Sequence, residues 1–239
     1  MSDTVLNVVV GLVTSVISAS GVWLWQHARS ARIVRRKASF FGIRPGGTCL
    51  IIMNNKWSKP GSTAHPDVLA LIEIAILAKE LGAKVSVVSC DEIREGNGDR
   101  TEFCVGGPTQ NSNPRSGAYA AAYLPGVSFR PHTRGPDSLA IVVGARTFPY
   151  DYGTVEHALI AKFTPTTATR PVILICGQTA TLNRAAVHLL KRDYRTLAKR
   201  VASTDRFCFV VRARATTTYG HEAVELVDDV TDAAFAPRP

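Results

Sequence analysis

The chain has 239 residues, a formal net charge of +9 and five cysteines. These quantities limit the number of domains, the kinds of partner and the redox state that we expect. The length suits one globular domain with a sizeable core. Five positive charges fall in one cluster before residue 38, so the remainder is only mildly basic and no nucleic-acid partner is expected. The cysteines are scattered singly, which excludes a Cys-x-x-Cys metal knuckle and favours reduced, buried thiols in a cytoplasmic domain.

Residues 1–37 combine an apolar stretch with a basic cluster. The stretch from Val5 to Trp25 is long enough to cross a bilayer, at about 1.5 Å per residue against roughly 30 Å of hydrocarbon. The cluster consists of Arg29, Arg32, Arg35, Arg36 and Lys37. The positive-inside rule then predicts a single-pass anchor in the cell membrane, with the C-terminal domain cytoplasmic and anionic lipid beside the cluster.

Other interpretations of this segment remain open. A cleavable signal peptide is disfavoured because Asp3 is the only charged side chain before the apolar run, and a buried core helix is disfavoured by the length of that run. Gly11, Ser15 and Ala19 recur at every fourth position, a spacing that lets two membrane helices approach closely. A homodimer is therefore one hypothesis, and simple tolerance of small residues is the other.

The remaining chain alternates strand and helix patterns. We predict a linker over residues 38–48, an α/β domain over residues 49–235 and a frayed tail over residues 236–239. A buried strand at 49–53, a helix at 66–81 and a strand at 84–89 form a βαβ unit, which imposes parallel pairing.

Later segments continue this pattern. Further strands are predicted at 103–105, 139–143, 155–163, 172–176 and 207–211, with helices at 114–124 and 182–201. The fold class is therefore α/β, a three-layer Rossmann-like domain with a mostly parallel sheet, preceded by one N-terminal transmembrane helix.

The strongest candidate site follows the strand at 103–105. In open α/β sheets, ligands bind beyond the carboxyl ends of the strands. Gly106 and Gly107 would let the backbone approach a ligand, and Asn111 and Asn113 lie at the start of the next helix, whose N-terminus attracts anions. The segment predicts phosphate contact, although it lacks the GxGxxG and GxxxxGK[ST] signatures and a plain tight turn is the alternative.

Two other segments end at the same predicted edge. Gly177 and Thr179 form a second strand-to-helix turn, where ligand contact and simple helix capping by Thr179 are alternatives. Asp151 and Tyr152 lie in a third loop, where a carboxylate beside an aromatic ring suits a ribose hydroxyl or a general base, and ordinary turn chemistry is the alternative.

Catalytic candidates are few. Glu102 is a potential acid or base, with a local ion-pair network as the alternative, and Asp151 is the other. The histidines show no HxH or HExxH spacing, so no metal site is expected, and the sequence identifies no cofactor.

Two motifs carry a resemblance. Phe40-Phe-Gly-Ile-Arg-Pro-Gly46 and Gly98-Asp-Arg-Thr-Glu-Phe-Cys-Val-Gly-Gly-Pro108 resemble a group of uncharacterised actinobacterial membrane-anchored proteins over most of the chain. This resemblance implies an N-terminal membrane segment and no particular activity. The Gly-Gly-Pro motif with the later Asp-Tyr-Gly is also similar to a motif set of archaeal surface-layer-associated domains, which implies a location outside the cell and conflicts with the basic cluster.

The leading functional hypothesis is a membrane-tethered cytoplasmic domain that binds a nucleotide or a nucleotide-sugar-like ligand. One alternative is a hydrolase or transferase that acts on a nucleotide glycosidic bond through Glu102 or Asp151. The other is a non-catalytic, membrane-anchored interaction module. The sequence does not decide whether the protein is an enzyme.

Overall fold

A computed structural model of the chain describes residues 20, 23, 25–56, 59, 61–93, 95–108 and 112–237. The strands are β1 (Thr48–Met53), β2 (Lys84–Ser89), β3 (Thr101–Val105), β4 (Val127–Phe129), β5 (Ile141–Val143), β6 (Arg146–Phe148), β7 (Val155–Phe163), β8 (Val172–Gly177), β9 (Phe207–Arg214) and β10 (Val224–Asp229). The helices are α1 (25–41), α2 (His65–Glu80), α3 (Pro114–Tyr123), α4 (Ala180–Arg200), α5 (Thr216–Tyr219) and α6 (Thr231–Phe235).

The main sheet of the described chain has seven strands in the order β10-β9-β7-β8-β3-β1-β2. The neighbours β2, β1, β3 and β8 are parallel, whereas β7 and β10 run against the rest. The α/β class and the mostly parallel sheet are thus confirmed. The predicted βαβ unit is confirmed as well, because β1 and β2 pair in parallel across α2.

A second, three-stranded antiparallel sheet has the order β4-β5-β6. The sequence placed the strand at 139–143 in the main sheet, but β5 belongs to this smaller sheet. Short apolar runs do not encode their pairing partners, since any apolar strand edge offers the same hydrogen bonds. The sequence interpretation also omitted β10, which pairs with β9 and forms one edge of the main sheet.

Two hydrophobic clusters cover the two faces of the main sheet. One packs α2, α4 and the end of α1 against it, around Ile74, Leu189 and Phe209. The other packs α3, α6 and the small sheet against the opposite face, around Leu124 and Ile141. The result is three layers of secondary structure, as this class of fold requires.

The end of α1 is part of the core. Phe40 and Phe41 are completely buried, and the ring of Phe40 stacks on Phe207 with centroids 5.3 Å apart. The predicted linker over residues 38–48 therefore begins as the buried last turn of a helix. A segment that carries two adjacent phenylalanines gains more from burial than from flexibility.

A buried lysine fixes this helix end. The Lys162 ammonium donates hydrogen bonds to the carbonyl oxygens of Ser39 (3.2 Å), Phe40 (2.8 Å) and Thr204 (2.7 Å). The last carbonyls of a helix have no partners within the helix, and Lys162 donates to that of the buried Phe40. The Ser39 carbonyl also accepts from the Gly42 amide at 3.0 Å.

No helix among the described residues is long and apolar enough to cross a membrane. The predicted transmembrane stretch from Val5 to Trp25 lies almost entirely outside the described residues, as does the whole Gly11, Ser15 and Ala19 stripe.

All five cysteines are buried and free of disulfide bonds. Burial raises the pKa of the Cys49 thiol to about 12, and it raises the pKa of each of the other four thiols as well. Thiols of this kind stay protonated and poorly nucleophilic at neutral pH.

Candidate functional site

A cavity of about 350 Å³ opens at the carboxyl ends of β1, β3 and β8. We call it the switch-point cavity, and its central residues are Asn54, Asp67, Gly107, Gly177, Thr179 and Asn183. From β1 the chain crosses through α2 to β2, toward one edge of the sheet. From β8 it crosses through α4 to β9, toward the opposite edge. The point where crossovers diverge is where open α/β sheets place their ligands.

Three helices begin around this cavity. Helix α2 follows β1, α3 follows β3 and α4 follows β8, and residues at or just before the start of each helix line the space. The first N–H groups of a helix have no partners within the helix and carry a partial positive charge. The arrangement therefore suits a ligand that is rich in hydrogen-bond acceptors.

The turn from β8 into α4 is held by Asn183. Its Oδ1 accepts a 2.7 Å hydrogen bond from the Gly177 backbone amide. A Cβ on Gly177 would lie 2.6 Å from the backbone nitrogen of Asn183. Thr179 lines the cavity and also caps α4, accepting from the Leu182 amide at 3.3 Å. The two interpretations of Thr179 are thus compatible.

The residues predicted to bind a ligand in the turn from β3 into α3 have different positions in the structure. Gly106 has φ +109°, and a Cβ there would lie 2.6 Å from the Asn54 side chain, so this glycine allows β1 and β3 to end side by side. Gly107 lines the cavity. Asn113 is fully buried and caps α3 through the Ser116 amide at 3.1 Å, and Asn111 lies outside the described residues.

Asp67, in the first turn of α2, is the functional candidate that sequence reasoning missed. Only 2% of it is exposed, and its Oδ1 accepts a 2.8 Å hydrogen bond from Asn183 Nδ2. Burial raises the pKa of Asp67, while hydrogen bonds from the Asn183 and Asn54 amides act in the opposite direction. The sequence signal was available: an acidic residue one position after Pro66, on the helix that follows a buried strand.

Asn54 supplies a second polar group at the same place. It is 7% exposed, it lines the cavity, and its Oδ1 is buried without a hydrogen-bond partner in the described structure. An unpaired buried acceptor costs roughly 1–3 kcal/mol, and a donor from a ligand or water would recover that cost.

The segment around Leu139 covers one side of the cavity. Gln178 Nε2 donates 3.1 Å hydrogen bonds to the carbonyls of Leu139 and Phe148, and His157 Nδ1 lies 2.9 Å from the Pro149 carbonyl. Leu139 has φ +55°, a strained conformation for a side chain of this size. The strain is held in place by the hydrogen bond from Gln178.

Behind the α4 turn lies the buried carboxylate of Glu156. It accepts hydrogen bonds from the hydroxyls of Thr179 and Thr216 and a 3.1 Å hydrogen bond from the Gly153 amide. Among the described residues, no lysine or arginine forms an ion pair with it. These bonds fix the position of Thr179 from below.

The remaining predicted residues lie away from the cavity. Glu102 is fully buried near the start of β3, where Arg115 binds it through two hydrogen bonds of 2.7 and 2.6 Å and the Tyr119 hydroxyl donates at 3.0 Å. Asp151 and Tyr152 are exposed on the turn before β7 and do not line the cavity. Their neighbour Tyr150 does line it.

Among the described lining residues, Lys56 supplies a cation and His132 an imidazole ring. Within the part of the chain that the structure describes, no group of three His, Cys, Asp or Glu side chains could hold a metal ion. The cavity thus offers one buried carboxylate, several amides and hydroxyls, and positive charge from helix ends and from Lys56.

Searches of protein-family models, curated proteins and solved structures found no match to this chain.

Proposed function

We propose that the switch-point cavity binds a nucleotide-type ligand, in a domain that an N-terminal segment tethers to the cytoplasmic face of the cell membrane. The observation that carries the ligand proposal is the convergence of three helix N-termini and a buried carboxylate on one polar cavity. The tether rests on the apolar stretch and the basic cluster of the sequence.

The phosphate end of such a ligand fits the α4 side. Gly177 and Thr179 bring backbone to the N-terminus of α4, Gly107 lines the same cavity from the turn before α3, and Lys56 adds a cation. Backbone amides with a dipole end are a common cradle for phosphate. This assigns Gly107, Gly177 and Thr179 the ligand contacts that the sequence predicted for them.

The sugar end fits the α2 side. The Asp67 carboxylate accepts hydrogen bonds from hydroxyl groups, and the Asn54 oxygen lacks a donor. At about 350 Å³, the cavity is near the lower limit of small-molecule sites, which run from roughly 300 to 1,000 Å³. We therefore favour a mononucleotide or a nucleotide sugar over a dinucleotide.

The test is a thermal-shift screen of the full chain in a nonionic detergent against nucleotides, dinucleotides and nucleotide sugars. A ligand that binds only the folded state raises the melting temperature by mass action. Mononucleotides or nucleotide sugars should give the largest shift. No shift with any of them would contradict the proposal.

Two variants locate the site. Lys56→Ala removes one cation from the lining and should weaken binding about 10-fold, as expected for a charge-assisted hydrogen bond. Gly107→Val should block the cavity. The matched control, Lys84→Ala, removes an exposed cation from the far edge strand and should bind like the wild type.

Asp67 favours a second candidate, a hydrolase of the nucleotide glycosidic bond. Asp67 would take a proton from water as the water oxygen bonds to the anomeric carbon; the carbon–nitrogen bond breaks, its electron pair goes to the base, and the base receives the proton from Asp67. Asp67→Asn should then keep binding and abolish release of the base, measured by chromatography. Base release by Asp67→Asn at the wild-type rate would exclude this mechanism.

A further inference from the structure

A second cavity, of about 650 Å³, lies between α1 and α4. We call it the α1–α4 groove. Its rim carries five cationic side chains, its floor carries apolar and aromatic ones, and the polar residues Ser39 and Thr204 complete the lining. The rim consists of Arg29, Arg32, Arg36, Arg195 and Lys199.

The positive charge of the rim is uncompensated. All five side chains belong to exposed residues, and none of them forms an ion pair with a carboxylate in the described part of the chain. None of the described residues that line the groove is acidic. Clustered charges of one sign raise the local potential and attract polyanions.

Aromatic rings hold two of the guanidinium groups. Arg29 lies over the Trp25 ring at 5.4 Å, and Arg195 lies over the Tyr194 ring at 5.6 Å. Stacking of this kind restricts the guanidinium planes. The Arg195 Nε–H also donates to the Tyr194 hydroxyl at 3.1 Å, so its terminal N–H groups are the ones that face an oxyanion.

The floor is apolar and partly open. Ile33 is 36% exposed, Ala198 is half-buried, and the rings of Phe40 and Tyr194 close the bottom. An apolar floor below a cationic rim matches a phosphate group attached to a hydrocarbon chain. It matches a nucleic acid less well, because single-strand binders present exposed rings on which bases stack.

We infer that the α1–α4 groove binds the phosphate headgroup of an anionic phospholipid, with α4 of the folded domain supplying part of the site. The choice of a lipid rests on the proposed tether, because α1 follows the apolar stretch directly and Trp23 and Trp25, each 62% exposed, lie where an interfacial aromatic belt belongs. The inference goes beyond a juxtamembrane basic cluster, since Arg195 and Lys199 lie more than 150 positions further along the chain.

The test distinguishes lipid binding by the two cations of α4 from lipid binding by the basic cluster of residues 29–37. The full chain is held in micelles of a nonionic detergent, and phosphatidylglycerol or phosphatidylcholine is added in increasing mole fraction. Retained lipid is counted by native mass spectrometry. Phosphatidylglycerol should be retained in preference, and Arg195→Gln with Lys199→Gln should weaken that retention about 25-fold, at roughly 5-fold per cation.

The matched control is Lys84→Gln with Arg134→Gln, which removes two exposed cations outside the groove. It should retain phosphatidylglycerol like the wild type. If both double variants lost phosphatidylglycerol retention equally, net charge alone would explain the binding and the inference would be overturned. Unchanged retention by the α4 variant would overturn it as well. Melting temperatures of both variants verify folding.

Two further measurements are needed. The first asks whether the groove prefers lipid or nucleic acid, and the second tests the membrane tether separately from the groove. A DNA duplex that binds the wild type more tightly than phosphatidylglycerol, and that the α4 variant loses, would assign the groove to nucleic acid and overturn the lipid. Flotation of the full chain with vesicles of phosphatidylcholine alone reports the tether. Failure there, with selective phosphatidylglycerol retention in micelles, would overturn the tether and leave the groove assigned.

Discussion

At the scale of single residues, Asp67 combines burial with a negative charge. It has amide hydrogen bonds but no cationic partner among the described residues, and burial raises its pKa above the ordinary value of 3.8. A carboxylate of this kind is costly for folding, and groups with such shifts concentrate at functional sites. Asparagine can replace it, because the amide oxygen of the substituted side chain can still accept from Asn183.

Asp67→Asn should therefore stabilise the fold at neutral pH. Between pH 3.8 and the raised folded pKa, the native state binds more protons than the unfolded state, so the wild type loses stability as pH rises through that window. Asp67→Asn has no carboxyl group to ionise at this position, so it does not lose stability in that pH window. Its melting temperature relative to the wild type should be higher at about pH 7 than at about pH 4.

The control is Asp137→Asn, which changes an exposed carboxylate. It should give the same difference in melting temperature at both pH values. A difference for Asp67→Asn that stays constant or falls with pH would show that the buried group does not titrate as described.

Lys162 is the cationic counterpart. Burial lowers its pKa from 10.5 to about 8, with Asp205 acting weakly in the opposite direction. Below about pH 8 the folded state carries the full cost of a buried ammonium, which is about 3 kcal/mol. Two carbonyl acceptors at the end of α1 and the Thr204 carbonyl account for its presence in spite of that cost.

The pH dependence of this cost has a definite sign. From pH 8 to pH 10.5 the native state has released the Lys162 proton and the unfolded state has not, so stability rises with pH. Relative to Lys162→Met, the wild type should gain melting temperature across this interval. Lys84→Met, at an exposed lysine, should show no such trend, and a matching trend there would refute the assignment to Lys162.

At the scale of elements, the turns at the carboxyl edge of the sheet depend on glycine. Gly106 is the critical one, because its φ of +109° and the 2.6 Å approach of Asn54 leave no room for a Cβ. Gly106→Ala should lower the free energy of unfolding by about 1–3 kcal/mol, as overpacking and strained substitutions do. Urea unfolding measures this.

The matched control is Gly96→Ala. Gly96 has no positive φ, and the nearest atom to an added Cβ is 3.9 Å away. The variant should unfold like the wild type. Equal losses for the two substitutions would mean that close packing between β1 and β3 does not explain the glycine.

The covering segment depends on Gln178. Removing its two hydrogen bonds to the carbonyls of Leu139 and Phe148 should loosen residues 139–148. Gln178→Ala should increase amide hydrogen exchange there at least several-fold, with exchange in β2 unchanged, because local opening follows the local hydrogen bonds. Unchanged exchange over residues 139–148 would contradict this role for Gln178.

The sequence predicts elements better than it predicts their partners. The strands at 155–163 and 172–176 and the Asn113 cap of α3 are confirmed, because period and capping chemistry are local. The placement of β5, the edge strand β10 and the burial of Phe40 and Phe41 depend on contacts between distant segments. Local patterns do not contain that information.

The candidate site shows the same division. Gly107, Gly177 and Thr179 line the cavity as residues of strand-to-helix turns, which the topology rule places at one edge. Asp67 and Asn183 come from different helices and meet only after folding. Asp151 lay in a loop at the predicted edge, yet its neighbour Tyr150 is the residue that lines the cavity.

At the scale of the whole molecule, the two cavities lie at opposite ends of the strands. Helix α1 leads into the amino end of β1, and the switch-point cavity opens beyond the carboxyl end of the same strand. Six residues separate the two ends, a distance of roughly 20 Å. The α1–α4 groove shares the α1 side, through the last turns of α4.

If the proposed tether and ligand site hold, this polarity determines the direction from which the ligand arrives. Phe40 and Phe41 are buried and fix the end of α1 to the core. A domain held against a bilayer through α1 would turn its cavity mouth toward the aqueous phase. Its ligand would then be a water-borne metabolite delivered by diffusion, and a lipid lodged in the same leaflet would be out of reach.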